Sequence, residues 1–222
     1  MKHIIFIPGL GADERLFDFI SINGCSKQFI KWVKPGKNEP LSSYLLKLKD
    51  QVMSNKPPVL IGVSLGGIIA MELRELISVE KTIIISSVKT KEEMPHFFNW
   101  VRKTRLNEII PPALIKKSAG LIKPFISDAK NKKALKLFKA MLHDTDNDFI
   151  YRSIKFVLEW QRTSYNNENL IHIHGTKDIV FPIRNINNCD YKITGGAHDI
   201  IMSRPEEINK ILIKEIFNII SG

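Results

Sequence analysis

The run VLIGVSLGGIIAMEL, from Val59 to Leu73, constrains the fold more than any other stretch of the chain. Its first residues are apolar without alternation, as suits a strand buried on both faces. Its last residues are as apolar and suit a helix packed over such a strand. Between them stands a G-x-S-x-G pentapeptide, Gly62-Val63-Ser64-Leu65-Gly66. A sharp strand-to-helix turn joins the two runs, the glycines tolerate its cramped geometry, and the serine hydroxyl is pushed outward. The Leu65 amide then opens the helix, where N–H groups lack intrahelical acceptors and can hold a developing oxyanion.

Strand-like and helix-like runs alternate on either side of this turn. Lys2 to Pro8 reads as a strand ending in Pro-Gly-Leu-Gly, and Ala12 to Ile22 as a helix capped near Asp13. Gln28 to Val33 reads as a second strand, Leu41 to Met53 as a helix, and Lys81 to Ser87 as the strand after Leu65 to Ile77. From about Lys89 to Glu168 the alternation stops. Only amphipathic helical stretches remain there, at Phe97 to Arg105, Lys130 to Met141 and Asp148 to Trp160. It resumes with strands at Leu170 to His174 and Asp190 to Thr194, separated by a short helix or turn at Pro182 to Asn187. A closing helix follows from Ser203 to Ile219, opened by a Ser203-Arg204-Pro205-Glu206 cap. Repeated strand–helix units with buried strands predict an α/β fold, a parallel sheet covered by helices on both faces. The expected division is a core of residues 1–88 and 169–222 with an all-helical cap, or lid, inserted at 89–168.

A serine hydroxyl is a poor nucleophile near neutral pH and needs a base, and a histidine base needs an acid on its far nitrogen. Asp178 follows one late strand in His174-Gly175-Thr176-Lys177-Asp178, and His198 follows the next in Gly195-Gly196-Ala197-His198. Loops at the carboxyl ends of parallel strands share one rim, so Ser64, Asp178 and His198 can meet there. Other histidines are worse placed: His3 starts a strand, His172 and His174 lie within one, and His96 and His143 fall in the helical stretch. Asp199 adjoins His198 in the chain and is directed away from its far nitrogen. The second oxyanion donor is expected in Pro8-Gly9-Leu10-Gly11, with the Leu10 amide first and that of Gly11 second.

Through these four motifs the chain resembles the α/β-hydrolase superfamily, over the core but not the insertion. The resemblance implies about six parallel strands, with the first two strands of the full fold absent. It also implies a Ser64–His198–Asp178 triad acting through an acyl-enzyme, with Leu65 and Leu10 as oxyanion donors. Relatives commonly carry His-Gly where this chain has Pro8-Gly9. A serine at the nucleophile position speaks against a haloalkane dehalogenase, whose likeness would need aspartate there. No cofactor or metal is implied.

The 222 residues carry a net charge of +10, and two cysteines, Cys25 and Cys189, have no metal-like spacing and suggest no disulfide framework. The opening apolar run is too short for a signal-peptide core and no run reaches a membrane span, so a cytoplasmic protein is expected. Between Trp100 and Lys139 lie eleven basic residues (Arg102, Lys103, Arg105, Lys116, Lys117, Lys123, Lys130, Lys132, Lys133, Lys136 and Lys139) against Glu108 and Asp128. The bland reading is a solvated face; the sharper ones are a phosphorylated carrier such as coenzyme A or weak contact with an anionic surface. Nucleic-acid binding lacks any recognised motif. The interleaved apolar residues, from Phe97 and Trp100 to Leu121, Phe125 and Phe138, pack the cap or line an acyl pocket. The expected activity is cleavage of small acyl esters by a carboxylesterase-like serine hydrolase. The alternatives are an acyl-CoA-type thioesterase, a C–C hydrolase or lyase-like member, and a non-catalytic binding protein. Natural substrate and oligomeric state stay open.

Overall fold

The computed structural model describes residues 1–104 and 132–218. Six strands, β1 (Lys2–Ile7), β2 (Cys25–Phe29), β3 (Val59–Val63), β4 (Lys81–Ile85), β5 (Leu170–Gly175) and β6 (Tyr191–Ile193), form one sheet in the order β2-β1-β3-β4-β5-β6. Every pairing is parallel, with Phe6 opposite Ile61 and Val63 opposite Ile85. The chain runs outward from β1 to β2 and then crosses back to β3. Loops leaving β1 and β3 therefore diverge over a crevice at the carboxyl rim, where open parallel sheets place their ligands.

Alternation along the strands divides the core into two layers. Ile5, Ile7, Leu60 and Ile84 face α1 (Leu41–Lys49), α2 (Leu65–Leu76) and, further along, α5 (Asn147–Glu159). Ile4, Phe6, Val59, Ile61, Ile83 and Ile85 face the opposite way, toward Leu16 and Phe17 and toward α7 (Pro205–Phe217) through Ile208, Leu212 and Ile216. Burial on both sides explains why these strands read as continuous apolar runs. Within the segment joining β4 to β5 the described residues form α3 (His96–Thr104), α4 (Lys132–Asp144) and α5. α5 packs onto the first layer, with Phe156 against Tyr44 at 5.0 Å between ring centres and Trp160 Nε1 donating to Glu72 at 2.7 Å just beyond the helix.

Several local expectations are corrected. The helix expected over Ala12 to Ile22 is a four-residue 3-10 turn, Glu14–Phe17, whose cap is Asp13 accepting from the Arg15 amide at 3.0 Å. β2 lies earlier than expected, because Cys25 to Phe29 is the run that pairs with β1. The closing helix is broken. Ile200–Ser203 forms a separate turn, α6, and Arg204 rather than Ser203 precedes α7, with Pro205 in its first turn. The Ser203 hydroxyl is turned back onto the Asp199 carbonyl and caps nothing. The expected helix ends at Arg105 and Ile219 lie outside the described residues, as do Arg105, Lys116, Lys117, Lys123 and Lys130 of the basic stretch. No helix among the described residues is long and apolar enough to cross a membrane.

Candidate active site

Ser64 follows β3 directly and precedes α2, with φ 54° and ψ −116°, a strained conformation for a non-glycine residue. The turn is as tight as the pentapeptide implies. A Cβ on Gly62 or Gly66 would overlap the Gly66 or Ile7 carbonyl oxygens respectively, so neither position admits a side chain. The backbone is pinned from three sides. The Ser64 amide donates to the Ile85 carbonyl at 3.0 Å. Its carbonyl accepts the Ser87 hydroxyl at 2.7 Å and the Gly67 amide at 2.9 Å.

His198 lies in the turn after β6, and Asp178 in the turn after β5, both on the rim that carries Ser64. His198 Nε2 is 2.9 Å from Ser64 Oγ and His198 Nδ1 is 2.8 Å from Asp178 Oδ2. The three residues expected from sequence are therefore brought together in one hydrogen-bonded line. Because the Asp178 carboxylate only accepts, Nδ1 carries the proton, and Nε2 is left to accept from the serine.

Asp178 is buried. Burial pushes its carboxyl up, but the charge of His198 and hydrogen bonds from His174 and His198 pull it well below the ordinary carboxylate range. Its Oδ1 accepts the Val180 and Phe181 amides at 2.8 and 3.0 Å. Burial pulls His198 down in turn, yet the Asp178 charge and hydrogen bond, helped by Asp199, raise it above the ordinary imidazole value.

The loop after β1 lies against the serine turn, with the Gly9 backbone so close that a Cβ there would stand 3.4 Å from Ser64 Cβ. This sets the loop that carries Leu10, expected as an oxyanion donor, against the serine turn. The Gly9 carbonyl is turned away, accepting from the Ala12 amide at 3.2 Å and Trp32 Nε1 at 3.3 Å. A cavity of about 460 Å³ flanks this loop, lined by Ala12, Asp13, Ile30, Trp32, Asp146 and Phe149 among others. On the other side, Phe181 stands edge-on to His198 at 5.7 Å and is stacked by Phe98 of α3 at 5.9 Å.

Sequence reasoning passed over one neighbour of the acid. His174 reads from sequence as a strand histidine, yet its Nε2 is 3.2 Å from Asp178 Oδ2. The signal was available: in the buried run Leu-Ile-His-Ile-His-Gly, His172 and His174 share a face, and buried polar groups need partners.

No protein-family model matches the chain, and no curated protein matches it in sequence. Solved structures do. A hydrolase from Oleispira antarctica superposes with a TM-score of 0.76 at 15% identity, over 99% of this chain and 92% of its own. The esterase EaEST from Exiguobacterium antarcticum gives a TM-score of 0.71 at 15% identity, covering 98% of this chain and 92% of that one. A lipase-esterase related protein from Clostridium acetobutylicum gives 0.68 at 14% identity, covering 97% and 94%. The shared architecture is the α/β-hydrolase fold.

Proposed function

We propose that this chain, with its α/β-hydrolase fold, is a serine hydrolase that cleaves acyl esters through an acyl-enzyme intermediate. The observation that carries the reading is the unbroken line from Ser64 Oγ through His198 to Asp178, at 2.9 and 2.8 Å. His198 Nε2 takes the Ser64 proton as Oγ attacks the acyl carbon, and then returns it to the leaving alkoxide. Asp178 keeps Nδ1 protonated and stabilises the imidazolium that forms. The Leu65 and Leu10 amides receive the oxyanion. Water, deprotonated by the same histidine, then releases the acid and restores the serine.

The helices between β4 and β5 serve as a cap in this reading, supported by the ring contacts from Phe98 through Phe181 to His198. A thioesterase is the second reading, supported by Lys132, Lys136 and Lys139, exposed along one face of α4 where an anionic carrier can dock.

Fluorophosphonate labelling followed by p-nitrophenyl esters of increasing chain length tests the proposal. Wild type is expected to label on Ser64 and turn over the esters. Ser64→Ala is expected to lose both, with a fall in kcat on the order of a millionfold by analogy with other serine hydrolases. Undiminished turnover in that variant would overturn the nucleophile assignment.

A further inference from the structure

Behind Asp178 lies a second line of polar side chains, all buried: His174, His172, Lys89 and Glu93. The elements that hold them are separate. His172 and His174 belong to β5, whereas Lys89 and Glu93 flank the loop that follows β4. His174 Nε2 lies 2.7 Å from the Phe181 carbonyl and 3.2 Å from Asp178 Oδ2. Its Nδ1 lies 3.1 Å from His172 Nε2, and His172 Nδ1 lies 2.9 Å from Lys89 Nζ. Lys89 Nζ also reaches Glu93 Oε1 at 2.9 Å and the Asn187 carbonyl at 2.5 Å.

Donor and acceptor chemistry orders this line from both ends. The Phe181 carbonyl accepts only, so His174 Nε2 carries a proton. An ammonium on Lys89, paired with Glu93, donates only, so His172 Nδ1 is bare and His172 Nε2 carries its proton. His172 Nε2–H then donates to His174 Nδ1, and all contacts agree. The three protons of Lys89 meet His172, Glu93 and Asn187, leaving none without an acceptor. Asp178 accepts the Val180 and Phe181 amides on Oδ1 and His198 on Oδ2, and His174 Nε2 lies 3.2 Å from that second oxygen.

We infer that Lys89, His172 and His174 form a proton-ordered strut that positions Asp178: the lysine locks both imidazoles in the Nε2–H tautomer, so that His174 always presents a donor to the triad acid. His174 is thereby a positioning residue and touches no substrate. Without the lock, the Phe181 carbonyl alone sets the order, and the second order is no longer opposed at the Lys89 end. In the second, a bare His174 Nε2 would face the Phe181 carbonyl and Asp178 with like-signed lone pairs. The catalytic consequence rests on the hydrolase reading; the tautomers do not.

Ring 15N spectra of histidine-labelled protein at pH 8 test the strut without any turnover. The expected result is the Nε2–H tautomer at His172 and His174, assigned by single replacement. An Nδ1–H tautomer or an imidazolium at either overturns the proposal. The paired replacement Lys89→Met with Glu93→Gln removes the ion pair with no change in net charge. It is expected to leave both histidines as tautomer mixtures and to lower kcat on p-nitrophenyl esters with little change in KM. Unchanged tautomers in a folded variant overturn the lysine's role, and if that variant fails to fold the wild-type spectra still decide. His174→Gln keeps an N–H for Asp178 and is expected to hold kcat within about threefold, whereas His174→Leu loses about tenfold, the worth of one hydrogen bond to a charged acceptor. Equal losses in the two variants count against positioning. A wild type that shows the Nε2–H tautomers but turns over no ester would retain the strut and defeat the hydrolase reading.

Discussion

Ser64 is held at φ 54° against a cost of about 1–3 kcal/mol. That cost is borne by the bonds to Ile85 and Ser87, which leave the hydroxyl aimed at His198 and nothing else to do. On the hydrolase reading, the protonation of His198 then governs the chemistry. Its value is raised because the nearby Asp178 charge outweighs burial, and only the neutral ring can accept the serine proton. The acid limb of kcat/KM is therefore expected above the ordinary imidazole value of about 6.5. A pH–rate profile on a neutral ester checks this, and a midpoint below that value would mean burial dominates. The sign for stability is opposite. The charged pair stabilises the fold below the unfolded imidazole value, and this contribution is lost as pH rises through the raised folded value. Ser64, Asp178 and His198 were legible in the sequence because each follows a strand and each has a chemistry the other two require. His174 was not, because a histidine inside an apolar strand carries no sequence mark of what its ring meets across the fold.

At the scale of elements, the start of α2 presses on the end of β1 where Gly66 meets the Ile7 and Pro8 carbonyls. Gly66→Ala has no space and no flexible neighbour to displace. It is expected to destabilise the protein by about 3 kcal/mol, the upper range of overpacking, as read by urea denaturation. A loss below 1 kcal/mol would mean the turn opens at little cost. Strands β1, β3 and β4 were legible because burial on both faces makes them nearly continuous apolar runs, and β5 because its isoleucines alternate with histidines before a glycine turn. β2 is an edge strand, half-buried except at the exposed Lys27, and its sequence Cys-Ser-Lys-Gln-Phe shows no such run. The expected cap at Ser203 failed for a different reason. A serine, a proline and a glutamate in the right order match the pattern of a helix start, but Ser203 already closes α6 and bonds backward to Asp199.

For the whole molecule, the net charge of +10 is the property least explained by the fold. Among the described residues, Lys132, Lys136 and Lys139 form an exposed face on α4, a helix whose Leu142 side chain lies against the Gly11 backbone in the loop after β1. Charge reversal of these three lysines to glutamate is expected to raise KM for an acyl-CoA about tenfold or more at low salt, and that for a neutral ester by less than twofold. Equal effects on the two substrates favour a solvated face and the ester reading. The site also has a timing built into its construction. His198 stands 134 residues after Ser64, so the first four strands and the serine turn can form on a growing chain before its base has been made. On the hydrolase reading, Ser64 therefore stays inert during synthesis until the segment that carries His198 has been made.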